Sequence, residues 1–327
     1  MTAYLIRRIW QALPILIGVN VLTFMLFFVL NSPDDMARMQ LGDKRVTQTA
    51  IDNWKAEHGY HLPLLYNASA SGIETVTDTI FFQKSAKLFV FDFGLSDSGR
   101  DIGYDISQRL WPSFAIAAPS LVIGLMVNIS LALLIVLFRA TVIDLMSVAV
   151  LVVLLSISGL FYIIAGQFVM GKLLHLVPIS GYDTGLNAIK FLVLPILIGV
   201  VAGIGSGVRL YRTFFLEEIE RDYVRTARAK GVHEWVVLFR HVFRNALIPI
   251  LTGVVAILPL LFMGALLTES FFGIPGLGSY TLDAINRQDF AIVRSMVFLG
   301  AVLYIVGLIL TDISYTIADP RIRLANS

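Results

Sequence analysis

Asp222 to Pro249, DYVRTARAKGVHEWVVLFRHVFRNALIP, is a polar, basic stretch set between two long apolar runs. Asp222 suits a helix N-cap, Thr226, Ala227 and Ala229 are small, and Lys230 places a cation where the helix dipole favours it. Gly231 can take the left-handed conformation that ends such a helix. From Glu234 to Val242 the apolar Trp235, Leu238, Phe239 and Val242 recur at spacings of three and four, predicting a second helix before Asn245 and Pro249 lead back into apolar sequence. The stretch therefore reads as helix, turn, helix between membrane spans. Small residues would let a partner's backbone approach closely, and Arg221, Arg225, Arg228 and Lys230 can meet acidic groups around a groove. An ordinary cytoplasmic loop, basic because such loops are, accounts for the composition equally well.

The surrounding chain is that of an integral membrane protein. Of its 327 residues 57% are hydrophobic and only 15% charged, with a mean hydropathy of +0.79, a balance foreign to soluble domains. A formal charge of +2 is close to neutral, so the placement of basic residues carries the information and nucleic acid is not an expected partner. With no cysteine, the chain can form neither disulfides nor Fe–S clusters, and thiol catalysis is excluded. The charged opening MTAYLIRRIW resembles a signal peptide, but the 22-residue apolar run from Ile9 to Leu30 has no small-x-small cleavage site at its end and reads as a retained first span.

Six spans are expected. Residues 1–30 form the N-terminus and first span, residues 31–112 a folded extramembrane cap, and residues 113–327 a five-span core that carries the polar loop 209–245. Within the cap, Thr47 to His58 predicts an amphipathic helix closed by Gly59, whereas Ile80 to Phe93 fits either a membrane-hugging strand or a packed helix. The core spans are expected at Ser113 to Phe138, Leu145 to Met170, Lys190 to Val208, Ala246 to Thr268 and Ser295 to Ile317, with a Gly- and Pro-bearing loop from Glu269 to Arg294. Arg7, Arg8, Arg139, the eight Lys and Arg from Arg209 to Arg244, and Arg321 with Arg323 all fall on one side of this scheme. Short basic loops face the cytoplasm, so both termini and the Asp222 loop are placed there and the cap outside.

Several chemical patterns fail on inspection. Gly166 to Lys172, GQFVMGK, begins like a phosphate-binding loop, but Leu173 replaces the Ser or Thr that would hold magnesium and the segment belongs to a span. The GIGSG of Gly203 to Gly207 resembles an intramembrane serine-protease motif without a histidine base in any span, and close helix packing or a flexible bend is the better reading. His58 and His61 beside Glu57 lack evident third and fourth metal ligands. No ionisable residue occupies the middle of a span; Asn128 is the most polar candidate, with Glu269 and Asp312 near span ends. Ion relay through about 30 Å of hydrocarbon needs polar stations, so an ion-coupled secondary transporter is the weaker alternative.

DYVRTARAKG followed by RHVFRNALIP resembles the cytoplasmic signature of inner-membrane permeases of ATP-binding-cassette importers, in their dipeptide and oligopeptide branch. AYLIRRIWQALPILIGVNVLTF, FGLSDSGRDIGYDI, ESFFGIPGLGSY and ISYTIADPRIR, in that order along the chain, are similar to the same branch. The general pattern of the loop is Glu-Ala-Ala, three residues and Gly; here Arg225, Thr226 and Ala227 take the first three places and Gly231 the Gly. Arg244 replaces a Pro of the general pattern, as is common in the peptide branch, and Ala68 to Lys87 is unusual. The resemblance implies an all-α, six-span type I importer permease that is not itself an enzyme and needs no metal or cofactor. It implies as partners a second homologous permease, two cytoplasmic ATP-binding subunits, an extracytoplasmic substrate-binding protein and the bilayer of a bacterial inner membrane. Asp222, Tyr223, Arg225, Thr226, Ala227, Arg228 and Gly231 are then the expected ATPase contact. Glu269, Phe272, Pro275 and Gly276 become candidates for an outer gate or receptor contact. Similar permeases handle nickel or glutathione, so the peptide substrate rests on the resemblance alone.

Overall fold

The computed structural model describes residues 2–42 and 46–318. The tail from 319 to 327, with Arg321 and Arg323, lies outside the described residues. Among them the chain is all helix and connecting loop, and the one β pairing is an isolated bridge between Leu95 and Asp101. Five helices are long and apolar enough to cross a bilayer: Trp10–Leu30, Ile102–Leu137, Gly185–Ile219, Glu234–Met263 and Phe290–Ser314. The pair Val142–Ser156 and Gly159–Leu173, bent by 88°, is together apolar enough to count as a sixth, broken span. The bend falls at Ile157 and Ser158, both extended, just before Gly159. Near the break Ser156 Oγ donates to Val152 O at 2.8 Å and the Tyr162 hydroxyl reaches across it to Leu154 O at 2.8 Å, adding side-chain bonds to carbonyls at the helix end.

The six-span, all-α expectation holds, but several boundaries move. The second span starts at Ile102 rather than Ser113, and the fourth continues past Val208 to Ile219. The second helix expected within the polar loop is the opening of the fifth span, which runs unbroken from Glu234 to Met263 through a π-helical stretch, Val237–Phe243. The Glu269 to Arg294 connection is mostly helix, Leu266–Phe272 and Leu277–Arg287. The reason is common to all four cases. Hydropathy marks the edge of the apolar zone, whereas a helix stops only where its backbone is capped or broken.

The chain divides into two compact units, Met1–Leu110 with Tyr280–Ile309 and Trp111–Ser279 with Leu310–Ser327. In the first unit, the segment after the first span folds back as short helices. Ser32 and Asp35 form a capping box at the start of Pro33–Leu41, and Thr47 caps Gln48–His58, which Gly59 ends at φ +69°. Phe24 and Phe28 of the first span bury against Met36, Ile51, Trp54, Tyr60 and Ile80. Of the two readings left open for Ile80 to Phe93, the packed helix is found, as Phe81–Ser85 and Ala86–Val90. The buried Asn20 of the first span holds it, its Nδ2 donating to Ser85 O at 3.0 Å.

The second unit is packed by close backbone approach. A Cβ added at Gly205 would stand 2.8 Å from the Leu155 nitrogen and 3.1 Å from the Leu151 oxygen, so only glycine lets the third and fourth spans meet there. At Gly207 the occupant of the space is the buried Asn128 side chain. The GIGSG stretch is thus a packing seam, as expected. Gly166 and Gly171 of the rejected phosphate loop play the same part, lying against Ile198 and Ile179.

Candidate functional site

The polar loop forms the helix Asp222–Ala229. Its N-cap is Arg221, one residue earlier than expected; Asp222 occupies the first helical position, where its charge still suits the positive helix end. Its C-terminus closes as a Schellman motif. Gly231 adopts φ +76°, its N–H donates to Arg228 O at 2.9 Å, and the Val232 N–H reaches Ala227 O at 3.3 Å.

One face of this short helix is welded to the permease. Val224 and Ala227 are buried in a cluster with Phe215, Ile219, Val237, Leu238 and Val242. Ala227, expected at a partner contact, therefore faces inward. The opposite face carries Asp222, Tyr223, Arg225, Thr226 and Ala229, all exposed, with Lys230 and Gly231 continuing it. Tyr223 is 38% exposed, and its hydroxyl donates to Glu218. Partial burial, with the Glu218 carboxylate adding to it, pushes the Tyr223 phenol up to about 12.

Charge pairs fix the helix in place. Glu234 accepts two bonds from Arg228, Nη2 to Oε1 at 2.8 Å and Nε to Oε2 at 3.1 Å, and a third from Arg139 Nη1 at 3.0 Å. Arg139 lies in the turn between the second and third spans, so the short helix, that turn and the start of the fifth span share one carboxylate. Arg212 makes a similar fork to Asp144, at 2.8 and 3.0 Å, joining the fourth span to the third. Arg228 is therefore spent on the permease, and the outward-facing cations are Arg225, Lys230 and Arg221. The pairing of Glu234 with Arg228 and Arg139, and of Asp144 with Arg212, was not foreseen from the sequence, where Arg139 counts only towards orientation and Glu234 only as a helix start. The signal available was an acid close to a basic residue in each of two short connections, Asp144 after Arg139 and Glu234 after Arg228.

The second group of expected site residues is a different kind of object. Glu269 is 1% exposed, yet its carboxylate accepts from Ser113 Oγ at 2.7 Å, from the Ala265 amide at 3.1 Å and from the Ser279 amide at 3.0 Å. Ser113 Oγ in turn accepts from the Leu277 amide at 2.7 Å. Burial pushes the Glu269 carboxyl above its usual range, and these donors pull against that shift without cancelling it. A side chain at Gly264 or Gly276 would collide with the Glu269 carboxylate, which explains both glycines. Phe272 is 1% exposed and packs on Ile116, Ile163, Leu194 and Ile198. Of the four candidates only Pro275 is exposed; Phe271, not singled out, is exposed at 41%. The loop is a knot that ties residues 264–279 to the second span. His58, the other tested candidate, stacks on Trp54 with ring centres 4.2 Å apart and its Nδ1 2.8 Å from Trp54 O.

Residues 134–324 match the model of the binding-protein-dependent transport system inner membrane component, and residues 1–84 the N-terminal model of such membrane components. The chain belongs to this family. Over 99% of both chains it is 34% identical to a putative peptide transport system permease protein of Brucella abortus (strain 2308). It is 29% identical, again over 99% of both, to a dipeptide transport system permease protein of Bacillus subtilis (strain 168). An oligopeptide transport system permease protein of the same bacterium is 28% identical over 99% of this chain and all of its own length. The chain is thus a multi-pass inner-membrane permease, a non-catalytic pore subunit of a multi-subunit ATP-binding-cassette importer.

Proposed function

We propose that this chain forms half of the translocation pathway of an ATP-driven peptide importer and receives the work of ATP hydrolysis through the outer face of Asp222–Ala229. The peptide substrate is supported by peptide, dipeptide and oligopeptide transport permeases that match this chain nearly end to end. The observation that carries the coupling role is the two-faced helix. One side is buried in the core cluster and braced by Glu234, while Tyr223, Arg225, Thr226 and Ala229 are exposed on the other. A rigidly mounted knob with small and cationic residues outward suits an acidic groove on a cytoplasmic ATP-binding subunit. Movement of that subunit would then be passed to the fourth and fifth spans, which the braced helix joins.

In this reading the partners are a second homologous permease, two ATP-binding subunits that hold the ATPase activity, and an extracytoplasmic substrate-binding protein. Residues 31–112 form the outer cap, residues 209–245 the coupling loop, and both termini are cytoplasmic, in line with the one-sided distribution of the short basic loops.

The chain has no cysteine, so Thr226→Cys introduces a single thiol without further change. Crosslinking from this position to an ATP-binding subunit, together with vanadate-sensitive uptake of a labelled dipeptide by the assembled transporter, is the expected result. Uptake that follows an ion gradient and survives without ATP would overturn the reading.

A further inference from the structure

Within the first unit lies a cavity of about 510 Å3, a volume in the range of small-molecule sites. Its wall brings together residues from the end of Gln48–His58, the helices Phe81–Ser85 and Ala86–Val90, the loop from Asp92 to Gly99 and the first turns of the sixth span. Two cations on that wall are unusual. Arg294 is only 3% exposed, sits 5.3 Å over the Phe28 ring, and its Nε has no hydrogen-bond partner among the described residues. Lys84 stands 5.2 Å from the Tyr60 ring centre. Burial, with the charge of Arg294 adding to it, holds its ammonium below the usual lysine range.

Among the described residues no carboxylate lies within 4.0 Å of either group. The carboxylate of Asp97 is engaged elsewhere, accepting from Gln40 Nε2 at 2.8 Å, while its own backbone N–H donates to Asp289 at 3.0 Å. Asp97 lines the same cavity and acts on both cations only through space, so the buried guanidinium and half-buried ammonium have no ion pair of their own that an anion in the cavity would have to displace. A guanidinium and an ammonium lining one cavity suit a carboxylate, because the planar anion can take bonds from both. Glu57 and Asp92 on the same wall supply negative charge for the other end of a zwitterion.

We propose that this cavity is a binding site for a small zwitterion of amino-acid or dipeptide size, its carboxylate held by Arg294 and Lys84. The site lies on the permease itself. It is separate from the coupling helix and the Glu269 loop, and it does not depend on what the assembled transporter carries.

Trp54 provides a reporter, since it stacks on His58, which lines the cavity. The full chain in lipid nanodiscs, with Trp10, Trp111 and Trp235 each changed to Phe, leaves Trp54 as its sole tryptophan. Titration with alanyl-alanine is expected to give a saturable change in Trp54 emission, and alanyl-alanine amide little or none. In Lys84→Gln and in Arg294→Gln the apparent Kd for alanyl-alanine should rise at least tenfold. Lys84 is the safer substitution, and an unchanged ligand-free spectrum establishes that the unit is intact. No saturable response, an amide that titrates like the free acid, inorganic phosphate that binds in preference to the dipeptide, or Lys84→Gln titrating as the parent would each overturn the proposal. Because binding is read on the permease alone, these outcomes stay distinct from any failure of ATP-driven peptide uptake.

Discussion

The loop around Asp222 and the loop around Glu269 both join spans, both contain a short helix ended by a glycine at positive φ, and both are anchored by one glutamate. They solve the anchoring problem in opposite ways. Glu234 is about one-third exposed and bonded to two arginines in similar surroundings, so its helix is held from the rim and keeps a free outer face. Glu269 is buried and bonded to a hydroxyl and two backbone amides, with glycines cleared from its path, so its loop is held from within and its exposed rim is largely apolar, Leu266, Leu267, Phe271 and Pro275. A short helix closed by glycine and anchored by one glutamate can thus be held from its rim or from within, and burial of the carboxylate tells which.

The largest effect should follow from cutting the knot. Glu269→Ala leaves the Ser113 hydroxyl and two amides without an acceptor, at about 1–3 kcal/mol for each buried donor left unsatisfied. We expect the variant to accumulate poorly in the membrane, with a sharply lowered unfolding temperature in detergent. Gly276→Ala should mimic it, because the new methyl meets the carboxylate. Normal accumulation and stability of both variants would show that the loop is not held by this carboxylate.

Next in size, and opposite in kind, is a change on the free face. Ala229 is exposed, so Ala229→Glu should leave membrane accumulation and thermal stability within about 0.5 kcal/mol of the parent, as surface substitutions do. Dipeptide uptake should fall at least tenfold, since a carboxylate would meet an acidic groove. Ala227→Arg would not make this distinction, because Ala227 is part of the core and its replacement would damage the permease directly.

This contrast also marks what the residues disclosed in advance. The short helix, its Gly231 stop, the packing role of the GIGSG stretch and the count of spans were legible, because each rests on local backbone preferences or on runs of apolar residues. The inward turn of Ala227 and Phe272 was not. On a helix of two turns, which face is buried is decided by partners such as Phe215 and Ile198 that lie far along the chain. The role of Glu269 was hidden for the same reason: its principal side-chain partner, Ser113, is 156 residues away. The bend at Ser158 and the continuation of the fourth span to Ile219 were missed because hydropathy does not report where a backbone is capped.

A smaller effect is expected from loosening the rim. Glu234→Gln keeps the shape of the side chain but removes the charge shared by Arg228 and Arg139. Exposed pairs of this type contribute about 0.2–1 kcal/mol each, so the loss should be about 1 kcal/mol, with uptake reduced a few-fold and not abolished. A variant as inactive as Ala229→Glu would mean that Glu234 itself touches the ATP-binding subunit.

The smallest effect is a pH dependence that the two glutamates should not share in sign. Burial raises the Glu269 carboxyl in the folded protein above its unfolded value of about 4.5, so the folded state binds this proton more tightly than the unfolded one. Ionisation of Glu269 therefore weighs against folding at neutral pH. That penalty is relieved as pH falls through the raised folded value towards 4.5. Unfolding temperatures measured at steps from pH 7 to pH 5 should thus contain a component that rises on acidification, and Ser113→Ala, by removing a donor that favours the ionised form, should enlarge it. In Glu269→Gln that component should vanish, whatever the variant's absolute stability, while Glu234→Gln should keep it. If Glu269→Gln retains the same slope as the parent, the three donors outweigh burial and Glu269 is a fully ionised anchor. The comparison would then be between two ion-stabilised loops that differ only in exposure.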